Sequence, residues 1–169
     1  MRLMKYLAAF PLATALLMFG LCGSASATPK WQPIPVTAGP SDECPGFTLY
    51  WTPIHFDGRQ TTTIRRDGTV VWSDEGASTW SVTRTDTGTT LVVNLSGPGT
   101  TTFDPHTSIF TSDLRGHNTV VTASSGLSGL PPVILVTGHL QYSVDTATGT
   151  LLSYSLAGTT YDFCAMFSG

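Results

Sequence analysis

Acid–base chemistry is the first kind of function to consider for this chain, because it contains four histidines. Three of them lie at predicted turns: His55, His106 and His117. His139 instead lies within a long apolar strand, on a mixed face that it shares with Thr137 and Gln141. A histidine in that position can serve as a general base near neutral pH, or it can be an ordinary hydrogen-bonded residue of a barrel wall. If the protein is an enzyme, His139 and Arg84 are the catalytic residues that the sequence predicts.

Metal chemistry has weaker support. Asp104, His106 and Asp113 are close together in the chain, but their spacing matches no common set of metal ligands and fits turn residues instead. The sequence therefore predicts no metal site and no cofactor.

Aromatic side chains are candidates for a ligand-binding surface, because tryptophan and tyrosine combine a large apolar area with a polar group. Tyr50 and Trp51 are adjacent in the first predicted strand, so one ring should enter the core while the other faces outward. In an all-β domain with few leucines the same rings are also the expected core fillers. The ligand-binding candidates are Trp51, Trp72, Trp80, Tyr142 and Tyr154.

The composition predicts that strands, not helices, position these side chains. Beyond position 27 the chain contains 27 threonines but one lysine, two glutamates and one methionine. Threonine favours strands, and the scarce residue types are good helix formers, so a helical bundle is excluded and an α/β fold is disfavoured. Residues 28–45 hold five prolines and no periodic pattern, which predicts an irregular arm. Residues 46–169 are enough for one domain with a real core.

Short alternating segments separated by turn dipeptides recur about every ten residues after position 46, which is typical of antiparallel β-proteins. Asp57-Gly58 and Asp67-Gly68 are strong hairpin signals. In the longest apolar run, Ile134, Val136, Leu140 and Tyr142 share one face with Gly138, while Val133, Leu135, Thr137 and His139 share the other. The predicted fold is an antiparallel β-barrel or sandwich of about eight to ten short strands.

Residues 1–27 have the features of a signal peptide. A positively charged beginning and an apolar run over 7–21 are followed by the small residues Ala25 and Ala27, so cleavage should leave Thr28 as the first residue. The apolar run is roughly 15 residues long, short of the ~20 that a membrane-spanning helix needs. We therefore expect a secreted, extracellular protein with no stable membrane insertion after the signal is removed.

Two cysteines, Cys44 and Cys164, remain after this processing. Outside the cytoplasm such a pair is more often a disulfide than two free thiols, and a separation of 120 residues lacks the paired spacing of a zinc site. Because the two positions bracket the β-domain, a bridge would place the start of the first strand beside the end of the last strand. That arrangement is expected where a sheet closes on itself.

Charge excludes further classes of partner. Without residues 1–27 the chain has six basic and eleven acidic residues, a net charge of −5, and it has no polybasic segment. Nucleic acid and anionic lipid are therefore poor candidate partners.

Three short motifs resemble a group of uncharacterised small secreted β-proteins of high-GC Gram-positive bacteria. They are a cysteine ahead of the first strand in Cys44-Pro45-Gly46-Phe47, the central Leu95-Ser96-Gly97-Pro98, and the closing Asp162-Phe163-Cys164-Ala165. The group shares a signal peptide as well, and the three motifs span most of the processed chain. The resemblance implies a secreted β-protein and no particular activity.

Two functions of different classes agree with these features. The first is an exported, non-catalytic β-domain that binds an unknown small molecule or glycan, or that contributes to the cell envelope. The second is a small secreted hydrolase or isomerase that uses His139 and Arg84 inside a barrel. The first is preferred, because the sequence contains no recognisable catalytic set and because fold alone does not define function.

Overall fold

The computed structural model describes residues 30–122, 127 and 129–168, and this part of the chain is all-β, as predicted. One 3₁₀ turn, Ala165–Phe167, is its single helical element. The predicted signal segment, 1–27, lies outside the described residues. The eleven strands are β1 (Gln32–Pro33), β2 (Gly39–Ser41), β3 (Leu49–Phe56), β4 (Arg59–Ile64), β5 (Val70–Glu75), β6 (Ser78–Arg84), β7 (Thr90–Asn94), β8 (Gly99–Asp104), β9 (Ile109–Val121), β10 (Val133–Asp145) and β11 (Thr150–Asp162).

The described residues contain no helix that is long and apolar enough to span a membrane.

The strands divide into two antiparallel sheets. The large sheet has seven strands in the order β1-β4-β5-β8-β9-β10-β11, and the small sheet has four in the order β2-β3-β6-β7. The expectation that one sheet closes on itself is therefore wrong. Strands β9, β10 and β11 are 13 residues each, longer than the short strands expected, and they form the most extensive pairing in the molecule.

Four connections carry the chain from one sheet to the other: β1 to β2, β3 to β4, β5 to β6, and β7 to β8. The hairpin predicted at Asp57-Gly58 is wrong for this reason, whereas Asp67-Gly68 does join the paired strands β4 and β5. Asp57 accepts a hydrogen bond from the backbone N–H of Ala77 through its side chain, and its own N–H donates to the Ala77 carbonyl at 3.1 Å. The turn between β3 and β4 is therefore hydrogen-bonded to the turn between β5 and β6, and β3 does not pair with β4.

A line of glycines crosses the large sheet. Gly116, Gly138 and Gly158 lie directly opposite one another on β9, β10 and β11, with φ values of 85°, 136° and 151°. A Cβ on Gly138 would collide with the carbonyl oxygen of Ala157, so only glycine allows the backbones to approach this closely. Glycines at matching positions of paired strands are a means of bending a sheet.

Both faces of the long strands contribute to apolar cores, separated by the alternation that the sequence predicts. Val133 packs with residues of the small sheet and with the segment after β11. Ile134, Val136 and Leu140, on the opposite face, are fully buried in a second cluster to which Leu127 also belongs. The predicted division of β10 into two faces is therefore confirmed.

The disulfide between Cys44 and Cys164 is present, with a Cα–Cα distance of 5.4 Å. Cys44 lies between β2 and β3 of the small sheet, and Cys164 follows β11 of the large sheet. The bridge therefore fastens one sheet to the other and does not close a single sheet. An intramolecular disulfide fits an oxidising environment such as the extracellular space.

The sequence predicts an irregular arm over 28–45, but the described residues of this segment include two short strands, one in each sheet. This segment contributes β1 to the edge of the large sheet and β2 to the edge of the small one. The Arg59 guanidinium lies 5.3 Å from the ring centre of Trp31, and the N–H of Ile34 donates to the Gly58 carbonyl. These contacts attach the arm to the domain.

Candidate functional site

Four polar side chains project from adjacent positions of β9 and β10. They lie on the same face of the large sheet as Val133, which is at the beginning of β10. Asp113 pairs across the strands with Gln141, and Arg115 pairs with His139. We call these four residues the polar platform. On each strand the two residues are two positions apart, and side chains two positions apart in a strand point to the same face of the sheet.

Asp113 is the centre of the polar platform. Its carboxylate lies 3.0 Å from Nε2 of His139 and 3.4 Å from Nε of Arg115, and it accepts a further hydrogen bond from the amide of Gln141. Partial burial raises the pKa of Asp113, but the hydrogen bonds from Gln141 and His139 outweigh it, so the pKa lies below its usual value. The platform therefore keeps a carboxylate ionised and fixed in place.

The polar platform is open to solvent because small residues flank it. Ser155 and Ala157 of β11 pair with Gln141 and His139, and Thr100 of β8 pairs with Asp113. The exposed fraction is 36% for the His139 side chain, 28% for Asp113 and 64% for Arg115. A ligand can therefore reach all three groups without any movement of the backbone.

A second polar pair continues this face beyond the glycine line. Thr137 and His117 lie directly opposite each other, with 3.2 Å between the Thr137 hydroxyl and Nδ1 of His117. His117 is therefore a neighbour of the polar platform along β9 and not simply a turn residue, as the sequence suggested. Together with the polar platform, this pair places at least six polar side chains on one surface of the two strands.

Arg84 and His139, the two predicted catalytic residues, have separate surroundings. Arg84 belongs to β6 of the small sheet, where its guanidinium binds the Asp86 carboxylate through two nitrogens at 2.7 and 2.9 Å. It also donates to the Phe167 carbonyl at 3.0 Å and lies 4.3 Å from the ring centre of Phe47. These partners make Arg84 an anchor for the segment after β11.

The hydrogen bonds raise the pKa of Arg84 and lower that of Asp86, so this ion pair persists across the ordinary pH range.

Two of the five aromatic candidates pack within the core of the small sheet. The ring of Trp51 stacks on Phe163 at 5.4 Å between centroids and meets Trp80 edge-on at 6.1 Å. Tyr50, the neighbour of Trp51 in sequence, is 42% exposed, so the predicted division of these two rings between core and surface is confirmed.

The other three candidates lie on the large sheet. Tyr142 is buried and its ring lies 6.3 Å from that of Phe110, whereas Trp72 of β5 is half-buried opposite Thr101. Tyr154 of β11 pairs with Tyr142 and is 39% exposed. None of the three shares the face of the polar platform, because the cross-strand register assigns them to the opposite side of the sheet.

Asp104, His106 and Asp113 do not form a common site. Asp104 accepts hydrogen bonds from the Thr107 hydroxyl and the His106 backbone, which lower its pKa and stabilise the turn between β8 and β9. The His106 ring contacts the Asp67 carbonyl at 2.8 Å and so joins this turn to the one between β4 and β5.

The sequence predicts a barrel lumen as the setting of a catalytic site, but the strands of the described residues form two separate sheets and not one closed sheet. The two core clusters are filled by apolar side chains. A cavity of about 100 Å³ lies beneath the sheet-crossing turns, where Ile34, Phe56 and Leu95 form part of its wall.

Sequence reasoning selected His139 and placed Gln141 on the same face, but it missed Asp113 and Arg115 as companions of His139. Asp113 and His139 are 26 positions apart, and only the register of β9 against β10 brings them together. The alternation of polar residues in Asp113, Arg115 and His117 was a usable signal for a shared face, but alternation contains no information about the partner strand.

Comparison of the chain with protein-family models, with curated proteins and with solved structures finds no match. The fold and the polar platform are therefore the basis on which a function is assigned.

Proposed function

We propose that this protein is a secreted, non-catalytic β-domain that binds a hydroxyl-rich small molecule or a glycan on its polar platform. The observation that carries the proposal is the Asp113 carboxylate, held on an open sheet face by His139 and Gln141. Side chains fixed in this way by their neighbours bind a ligand at a lower entropic cost than mobile surface side chains.

The donor and acceptor groups of the platform suit hydroxyl groups. A hydroxyl donates to a carboxylate and accepts from an amide or guanidinium N–H, and all three of these groups lie within one small area. Asp113 and Arg115 have charges of opposite sign that largely cancel. The surface therefore favours a neutral polar ligand over a strongly charged one.

A secreted protein meets its ligand outside the cell, so the proposed ligand is an extracellular one. The signal-like segment 1–27 and the Cys44–Cys164 disulfide agree with secretion. Amino-terminal sequencing of the protein from culture supernatant should give Thr28 as the first residue. Retention of residues 1–27, or a lipid on Cys22, the cysteine that lies within this segment, would contradict the proposed processing.

Binding is tested on the secreted protein in two stages. Native mass spectrometry looks for a co-purifying ligand, and calorimetric titration then measures the affinity for that ligand and for a panel of neutral oligosaccharides. Removing one ligand hydrogen bond typically costs ~1 kcal/mol, so His139→Ala and Gln141→Ala should each weaken binding roughly fivefold.

Gln60→Ala is the matched control. Gln60 donates to Asp74 at 2.6 Å across strands β4 and β5, the same arrangement as Gln141 and Asp113 at another place on the large sheet. This variant should bind as the parent does. Equal losses in Gln60→Ala and Gln141→Ala, or no binding of any saccharide by the parent, would contradict a glycan site on the platform.

A secreted hydrolase or isomerase is the second candidate, and the contact between His139 and Asp113 is the observation that favours it. A carboxylate that accepts from Nε2 fixes the tautomer of the ring and leaves Nδ1 as a base. Within the described part of the chain, no serine, threonine or cysteine side chain hydrogen-bonds to His139. Turnover of the bound saccharide that His139→Gln abolishes would favour the enzyme.

A further inference from the structure

The two sheets have four edge strands, and three of them are poorly suited to pairing with another chain. β1 has two residues and contains Pro33, β2 has three residues and contains Pro40, and β7 has five residues. Short strands and prolines are the usual protection of sheet edges. β11, at the other edge of the large sheet, is 13 residues long.

β11 lacks this protection over most of its length. Positions 150–161 contain no charged residue and no proline, and Ser153, Tyr154 and Ser155 are exposed. The N–H of Phe163 donates to Val133 of β10, so alternation along the strand directs the backbone groups of Tyr154 and Leu156 away from β10. These groups form an uncovered row of donors and acceptors.

The sequence of this edge is a palindrome. Leu152-Ser153-Tyr154-Ser155-Leu156 reads the same in both directions about Tyr154. Two identical strands that pair antiparallel about a two-fold axis at Tyr154 therefore place leucine opposite leucine, serine opposite serine and tyrosine opposite tyrosine. No like charges meet, because the segment has none. A foreign peptide would need a matching sequence, whereas a second copy of this chain supplies it.

We propose that the free edge of β11 binds β11 of a second copy of this chain, antiparallel and centred on Tyr154. The two large sheets then form one continuous sheet of fourteen strands. The two-fold axis makes the contact closed, so association stops at the dimer. The extra residue Leu152 in β11 and the bend at Gly158 limit the regular part of the pairing, which makes the dimer a weak one.

Sedimentation equilibrium of the processed protein over a range of concentrations measures the association. We expect the mass to rise toward twice the monomer value, and Ser155→Lys to abolish this rise because it places positive charges on both edges of the contact. Val92→Lys is the matched control, since Val92 is exposed on the short edge strand β7 and gains the same charge. Far-UV circular dichroism checks that both variants fold.

The register is tested by a cysteine substitution. Tyr154→Cys places two cysteines directly opposite each other, at a Cα separation of about 5.5 Å that a disulfide tolerates. In oxidised glutathione this variant should form a covalent dimer on a non-reducing gel. Leu152→Cys, which lies opposite Leu156 of the other copy, should form far less of it.

Three results would overturn the proposal. They are a parent protein that stays monomeric at every concentration, a dimer that Ser155→Lys leaves intact, and equal cross-linking of Tyr154→Cys and Leu152→Cys. Binding of an unrelated strand-forming peptide by a parent that remains monomeric would show that the edge serves a different partner.

Discussion

Asp113 makes the stability of the fold depend on pH, because its carboxyl group has different pKa values in the folded and unfolded chain. Burial raises the pKa in the folded state, but the hydrogen bonds from Gln141 and His139 lower it by more. A group with a lowered folded pKa stabilises the fold fully above its unfolded pKa, about 3.9, and this contribution is lost as the pH falls through the folded pKa. Acidification below about pH 4 should therefore weaken the fold in part through Asp113.

The prediction is that Asp113→Asn loses less stability than the parent between neutral pH and the acidic range, because it has no carboxylate to protonate. Urea unfolding at several pH values measures the difference. Glu43→Gln is the control, since no described hydrogen bond or ion pair involves the Glu43 side chain. Parallel pH profiles for Asp113→Asn and the parent would show that the platform carboxylate contributes nothing to acid sensitivity.

Arg84 illustrates how a residue that suggests catalysis can instead serve the fold. It connects β6 to the Phe167 carbonyl and covers the ring of Phe47. We predict that Arg84→Ala lowers the urea midpoint and that Arg84→Lys restores it only in part, because lysine cannot reproduce the two-nitrogen contact with Asp86.

Ligand binding at the polar platform should be unchanged in both Arg84 variants. Arg66→Ala, which removes an exposed arginine from the turn before β5, is the matched control for the loss of charge. A loss of ligand binding in Arg84→Lys without a loss of stability would return Arg84 to the candidate site.

The glycine line of Gly116, Gly138 and Gly158 shapes three neighbouring strands, and the free-energy cost of replacing one of these glycines can be predicted. Gly138 has φ of 136°, which other residues rarely adopt, and a Cβ there would collide with the backbone of β11. Strain of this kind costs on the order of 1–3 kcal/mol before the collision is counted. We therefore expect Gly138→Ala to destabilise the protein by at least ~2 kcal/mol in urea unfolding.

Gly39→Ala is the matched control, because Gly39 has no positive φ and no atom lies within 4 Å of the added methyl group. Its stability should remain within ~0.5 kcal/mol of the parent, as for most surface substitutions. If Gly138→Ala were equally harmless, the strands could separate at this point without cost, and the line would have no role in shaping the sheet.

The faces of the strands could be read from sequence with good accuracy, but the strand partners could not. Ile134 and His139 lie on opposite faces of β10, as alternation predicts, because side chains of a strand alternate whatever its neighbours are. Asp57-Gly58 shows the limit. The dipeptide predicts a turn, yet the strand that follows crosses to the other sheet, and the turn contacts Ala77, 20 residues away.

The Cys44–Cys164 bridge acts on the molecule as a whole, since it joins the two sheets across a separation of 120 residues. A loop of this length corresponds to about 4–5 kcal/mol in the chain-entropy model, and measured values are often smaller. We predict that Cys44→Ala/Cys164→Ala lowers the free energy of unfolding by a few kcal/mol. Alanine avoids burying an unpaired hydroxyl at positions that are 2% and 7% exposed.

Urea unfolding beside the unreduced parent measures this cost, and calorimetric titration should show that the polar platform still binds its ligand in the fraction that remains folded. An unchanged midpoint, or two free thiols in the native protein, would contradict the structural role of the bridge.

The fold class and the cysteine pair followed from local properties of the chain: β-branched composition, period-two alternation, and two cysteines that bracket the domain. Composition, alternation and the positions of the cysteines can each be read along the chain without knowing which segments meet in space. The division into two sheets, the glycine line and the meeting of Asp113 with His139 arise from contacts between distant segments. Register and strand order are set by the packing of both sheets together, and no short stretch of sequence encodes them.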